Sequence, residues 1–197
     1  DRRDFGLSFE DYRRTPDGPQ IAAFGLHSVS TRKNHHEPEG RYSMRTLFLQ
    51  APTFDGFDGG AGSRYQAKRE IKSFWYPTWL AQPAALVPNS KLIDAPPHNT
   101  KLSEIVAQAN DFDLVVLHTS VPSFKSDVKT IEALKAANPR LNAGLIGAKV
   151  AVDAAGSMAA APVVDFCARN EFDFTVKEVA DGVPMAQIKG LSYRDAD

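Results

Sequence analysis

The chain has 197 residues, and its 23 lysines and arginines nearly balance 24 aspartates and glutamates. That length suits one domain of ordinary size, and the balance leaves no basic footprint for nucleic acid or an anionic membrane. Cys167 is the single cysteine. This excludes an internal disulfide framework and any iron–sulfur or thiolate zinc site built by this chain alone. No apolar run approaches the ~20 residues of a membrane span, and the opening residues do not read as a signal peptide. The expectation is a cytoplasmic domain without a transmembrane segment.

Over residues 1–43 no apolar period of 3.6 or 2 persists. The stretch carries Pro16, Gly18, Pro19, Pro38 and Gly40, paired arginines at Arg2-Arg3 and Arg13-Arg14, and an isolated pair, His35-His36. It is expected to be an unpatterned, disordered leader or upstream segment, with Met44 as the natural start and residues 44–197 as the folded domain.

The texture changes at Thr46. Short apolar runs follow at TLFLQ (46–50), KLIDA (91–95), LVVLH (114–118), AGLIG (143–147) and VDFCA (164–168). Runs of this length without polar alternation suit strands buried on both faces of a parallel sheet. After the first run, Pro77 can open a helix over Trp79, Leu80 and Leu86, with Pro83 as a kink inside it. Leu102, Ile105, Val106 and Ala109 follow the helical i, i+3, i+4, i+7 rule, with Asn99 or Thr100 as N-cap. Val128, Ile131 and Leu134 mark a helix that has to stop before Pro139. An Ala-rich helix follows at 154–161, and Phe172, Val176 and Val179 form the last, closed by Gly182. This alternation predicts a doubly wound α/β sheet of about five parallel strands with flanking helices. It is Rossmann-like, and closer to a flavodoxin-like order than to a full dinucleotide-binding fold.

Ligands of such sheets bind beyond the carboxyl ends of the strands, near the switch point. The first loop, APTFDGFDGGAGSRYQAKRE, holds Gly56, Gly59, Gly60 and Gly62, but no G-x-G-x-x-G opening a helix, and Ser63-Arg64 stands where a phosphate loop has Lys-Ser/Thr. It reads as a flexible loop that lets backbone approach a large planar ligand or another domain. In DAPPHNT, Asp94 and His98 suggest an acid–base or ligand pair, but the two prolines between them predict an extended course, and a surface-loop histidine is the favoured reading. HTSVPSF places Thr119, Ser120 and Ser123 directly after a buried strand. These hydroxyls either donate to a ligand or, for Ser123 or Ser126, cap the next helix. His118 reads as a satisfied core or rim histidine. Gly147-Ala148 leaves room for a close ligand or for a tight turn. Glu171 and Asp173 read as helix N-terminal acids before they read as paired catalytic carboxylates. No loop combines a nucleophile, a base and an orienting group, so these residues describe binding and not catalysis.

Several of these pieces recur together in one family. A strand ending in a Pro loop, a second ending in IDA, and the runs DLVVLHTSVPSF, GLIGAKVAV and DFCARNEFDFTVKEVADG…IKGLSYRD resemble the N-terminal cobalamin-binding domain of B12-dependent radical SAM enzymes. Within that group, MRTLFLQAPTFDGFDGGAGSRYQAKREIKSFWYPTWLAQPAALVP is similar to hopanoid-biosynthesis-associated radical SAM proteins of the HpnJ type, and the likeness runs from about Met44 to Asp197.

The resemblance implies a domain that positions cobalamin base-off without a protein histidine on cobalt, since D-x-H-x-x-G is missing. It implies that Thr119, Ser120 and Ser123 match the family's Ser/Thr loop beside the buried nucleotide tail. Gly147-Ala148 matches a Gly-Gly turn with alanine in second place, and Asn170-Glu171-Phe172-Asp173 matches Gly-Glu-x-Glu altered at its first and last positions. With Pro52 from the Pro loop, the implied cofactor-binding residues are Pro52, Thr119, Ser120, Ser123, Gly147, Ala148 and Glu171, with no catalytic or metal-ligating residue. S-adenosylmethionine and a [4Fe–4S] cluster belong, on this likeness, to a radical SAM core whose C-x-x-x-C-x-x-C motif is absent here. That core, and through it a hopanoid substrate, are the implied partners. The rival expectation is a non-catalytic α/β interaction or regulatory module with no cofactor, using Phe74-Trp75-Tyr76 and Trp79 as its contact surface. A receiver domain is opposed by Gln50-Ala51-Pro52, which stands where an acidic cluster would.

Overall fold

Five parallel strands and one antiparallel edge strand build a single sheet in the computed structural model, which describes residues 43–52 and 76–194. His35-His36, the Gly-rich loop and Phe74-Trp75 lie outside the described residues. The strands are β1 (Thr46–Gln50), β2 (Lys91–Asp94), β3 (Leu114–His118), β4 (Asn142–Ile146), β5 (Phe166–Ala168) and β6 (Leu191–Tyr193), ordered β2-β1-β3-β4-β5-β6. Only β6 runs antiparallel, pairing Tyr193 with Phe166 and Leu191 with Ala168. The parallel part has the flavodoxin-like order, with the direction of winding reversing between β1 and β3.

Strand residues alternate between two apolar layers, as the two-residue period of a strand requires. Leu47, Leu49, Val115, Leu117, Ala143 and Leu145 face one layer, where α3 (Leu102–Val106), α4 (Phe124–Ala137), α5 (Ala148–Val152) and α6 (Ala154–Ala160) bring Ile105, Val128, Ile131, Leu134, Val150 and Met158. Phe48, Leu114, Val116, Ile146 and Phe166 face the other, covered by Leu80 of α1 (Thr78–Leu86) and by Val176 and Val179 of α7 (Asp173–Ala180). Helices on both faces make the sheet doubly wound. Gly144 is needed in β4 because a Cβ there would lie 2.1 Å from the Phe166 ring, which is fully buried.

Several local expectations change. β6 was not foreseen: it has three residues, and only Leu191 is buried, so it leaves almost no apolar signature. Residues 95–98, expected as an extended loop, form a helical turn, α2 (Ala95–His98). Its prolines sit in the first turn, where a missing N–H breaks no helical bond. Asn99 closes that turn in the left-handed conformation (φ 51°), so it does not cap the next helix. Lys101 takes the N-cap position of α3, its N–H donating to Glu104 Oε2 at 2.8 Å, and Ala109 falls in a separate 3₁₀ turn. The segment after Gly147 is the helix α5 and not a loop. α1 continues through Pro83, whose buried ring offsets the hydrogen bond its nitrogen cannot donate. The expected stops of α4 before Pro139 and of α7 before Gly182 (φ 73°) are where the structure has them.

Candidate functional site

The carboxyl ends of β1 and β3 meet at the switch point, and β4 adjoins β3 on the far side. After β1 come Ala51, buried, and Pro52, half-buried. β3 ends in His118, and the chain then folds tightly into α4. The Thr119 N–H donates to the Ile146 carbonyl at 2.8 Å, which carries the β3–β4 pairing one step past the strand. Ser120 and Ser123 close on one another: the Ser120 N–H donates to Ser123 Oγ at 3.1 Å, and the two hydroxyl oxygens lie 2.8 Å apart. The Ser120 carbonyl then accepts from Phe124 N–H at 2.9 Å, starting α4.

Beneath this loop lies Asp127, one turn beyond Ser123 on the same face of α4. It is buried, and Thr119 Oγ1 donates to its Oδ2 at 2.7 Å. Burial pushes the Asp127 carboxyl up to about 7, with the Thr119 and Ser123 hydroxyls drawing it partly back. The three predicted hydroxyls therefore have different standings. Thr119 is fully buried and committed to Asp127, Ser123 is fully buried against Ser120, and Ser120 is the one left partly exposed. Ser123 does occupy the N-cap position of α4, but its hydroxyl bonds back to Ser120 and makes no cap bond into the helix.

Gly147 faces this loop from β4. Its φ of 107° and ψ of −179° belong to a region open essentially to glycine alone. A Cβ there would lie 2.5 Å from the Thr119 carbonyl oxygen and 2.8 Å from His118 Cε1. The space that glycine frees is thus taken by the His118 ring and the Thr119 backbone. Ala148 is exposed and opens α5. Lys149 reaches across to the Phe124 ring, 5.5 Å from its centre.

The structure brings Thr119, Ser120, Ser123 and Gly147 together around one point. Pro52 follows β1, the strand adjoining β3. Glu171 is exposed after β5, with β4 between β5 and β3, and its effect is local: burial and then the Glu171 charge raise the Asp173 carboxyl. Cys167 is buried in β5 and burial pushes its thiol up to about 11, which leaves it unsuited to nucleophilic work. Among the described residues, no group of three or more His, Cys, Asp or Glu side chains is arranged to hold a metal ion, and no helix is long and apolar enough to cross a membrane. Compared with known proteins, the chain matches no family model and no curated protein.

One residue at this edge was missed and another was read differently. Asp127 sits inside an otherwise ordinary amphipathic helix, but its spacing of four from Ser123 was a signal that both share a face. His118, expected to be satisfied, is buried with no hydrogen-bond partner for Nδ1 among the described residues. It packs under Trp79, whose ring centre lies 6.3 Å away at an interplanar angle of 28°.

Proposed function

We propose that the chain is a cofactor-holding domain that binds cobalamin base-off at the carboxyl edge of its sheet, as the N-terminal part of a B12-dependent radical SAM enzyme of hopanoid side-chain biosynthesis. The observation that carries this reading is the β3–α4 hydroxyl loop packed against Gly147 at the switch point. One partly exposed serine hydroxyl, Ser120, is left to meet a ligand rich in uncharged polar groups, and the buried Thr119–Asp127 pair holds the loop beneath it. When bound, a corrinoid supplies a cobalt centre that changes oxidation state. The chain's own residues would hold and orient it: Ser120 would donate toward the nucleotide tail, Ser123 fixes Ser120, Thr119 and Asp127 anchor the loop, and Gly147 lets His118 and Thr119 pack closely at its base, with Ala148 exposed one position on. Pro52 follows the adjoining strand β1, while Glu171, after β5, is one strand further away and would meet only a ligand that extends past β4. S-adenosylmethionine, the [4Fe–4S] cluster and the hopanoid substrate belong in this reading to the radical SAM core.

The loop's role is tested by comparing hydroxocobalamin with dicyanocobinamide, which keeps the corrin ring but lacks the tail. Affinity for cobinamide should be at least about tenfold weaker, since each tenfold is about 1.4 kcal/mol and one to two hydrogen bonds are lost. Equal affinity for the two would remove the tail from this loop.

A second reading, an interaction module without cofactor, is favoured by one feature. Among the described residues, the exposed large apolar side chains are Tyr76 and Trp79, Val121, Val152 and Phe174, and they lie in segments that follow β1, β3, β4 and β5 respectively. Exposed apolar groups that rim one edge are suited to protein contact. In the first reading the same rim is where the radical SAM core sits, and cobalamin retention separates the two.

A further inference from the structure

We infer that His118 and Trp79 form a second recognition element at the switch point, in which the His118 imidazole hydrogen-bonds an uncharged carboxamide of the ligand while the Trp79 indole covers the contact. The inference rests on the cofactor reading above and names the ligand group that this side of the site takes.

Three observations carry it. His118 is the last residue of β3, on the sheet face of Leu114 and Val116, and is only 8 % exposed. Its Nδ1 has no hydrogen-bond partner among the described residues. A buried polar nitrogen left unpaired is uncommon and destabilising. Nevertheless the surroundings are shaped to keep the ring there. Gly147, in a conformation open to glycine, leaves out the Cβ that would strike Cε1 and Nε2 at 2.8 and 2.9 Å. The indole of Trp79 lies over the face of the ring and is itself 47 % exposed, so it stays over the imidazole while a ligand group meets Nδ1 in the plane of the ring.

The chemistry selects the ligand group. Burial pushes the imidazole down to about 4, so the ring is neutral at physiological pH and offers no charge to a phosphate or carboxylate. A neutral imidazole presents Nδ1 either as an acceptor or as a donor, according to its tautomer. A primary carboxamide carries both an N–H and a carbonyl oxygen and so complements either form. Peripheral carboxamides are what a corrin ring displays. Asp127 does not compete for this nitrogen, because it bonds Thr119 in the layer where α4 packs, while His118 points to the layer of α1.

The test is nitrogen NMR of the full chain labelled with ¹⁵N-histidine and titrated with hydroxocobalamin. The His118 signals are assigned by their loss in His118→Phe, which keeps a ring between Trp79 and Gly147, or in His118→Gln should the first variant not fold. The expected result is a shift of the His118 Nδ1 signal on binding while the other histidines stay in place, with about a tenfold loss of affinity in His118→Phe for both cobalamin and cobinamide. A chain that retains cobalamin with an unmoved His118 signal and an unchanged affinity in His118→Phe overturns the inference and leaves the cofactor reading standing. A chain that takes up no cobalamin and shows no shift overturns both.

Discussion

Replacing Asp127 by asparagine should stabilise the chain at pH 8, by about 2–4 kcal/mol, even though it alters a buried, hydrogen-bonded side chain. Burial holds the Asp127 carboxyl at about 7 in the fold, against ~3.9 in an unfolded chain. Between about pH 4 and pH 7 the native state therefore keeps a proton that the unfolded state has released. Stability from this group is full below pH 4, falls by about 1.4 kcal/mol per pH unit through that window, and levels off above it. His118 works in the opposite direction. Its imidazole stands at about 4 in the fold and ~6.5 unfolded, so the unfolded chain takes up a proton that the native chain refuses. Stability from this group is full above pH 6.5 and is lost as pH falls toward 4. The two slopes nearly cancel between pH 4 and 6.5, and the decline due to Asp127 is left alone just below pH 7.

Asp127→Asn keeps an amide oxygen to accept the Thr119 hydroxyl but removes the ionisation. The decline due to Asp127 should then be gone, leaving the His118 slope, which rises to about pH 6.5, without a fall toward pH 7. Urea midpoints of both proteins at pH 5, 6, 7 and 8 check this. A variant less stable than the parent at pH 8 would mean that Asp127 serves as an ionised anchor for the loop.

The second large effect is at Gly147. Gly147→Ala should destabilise the chain by about 3–5 kcal/mol, the sum of strain in a region alanine rarely adopts and of overpacking against neighbours. The clash is with backbone: the added Cβ meets the Thr119 carbonyl at 2.5 Å, and Thr119 is held in turn by its bond to Ile146. In a domain of this size such a loss lowers the melting temperature by roughly 10 °C. Ala148→Gly, one position on, exposed and at the first residue of α5, should cost no more than about 1 kcal/mol. Thermal melts of both variants give the contrast. A Gly147→Ala protein that melts with the parent would contradict the packing of His118 and Thr119 against this turn.

The physics also explains how much could be read beforehand. TLFLQ and LVVLH are buried at every position, so an uninterrupted apolar run was a sufficient signal, and their parallel order followed from the helices between them. α4, 14 residues long, was legible because Val128, Ile131 and Leu134 within it hold helical spacing. β6 and α2 were not, being three and four residues long and ordered by neighbours instead of by a pattern of their own. At the site, the loop after β3 was found from its small hydroxyls, but their division of labour was not. Whether Thr119 meets a ligand or Asp127 depends on how α4 packs against β3, which no local spacing encodes. The pairing of His118 with Trp79 joins residues 39 apart in the chain across a helix–sheet contact, so it too emerges only in the fold.

The proposed binding of cobalamin at the carboxyl edge of this sheet can be tested on the protein itself. The most direct measurement is the visible spectrum of the full chain after incubation with hydroxocobalamin under reducing, anaerobic conditions and desalting. Corrinoid should travel with the protein and show a base-off spectrum. Colour recovered entirely in the small-molecule fraction would contradict it and move the interaction-module reading to first place.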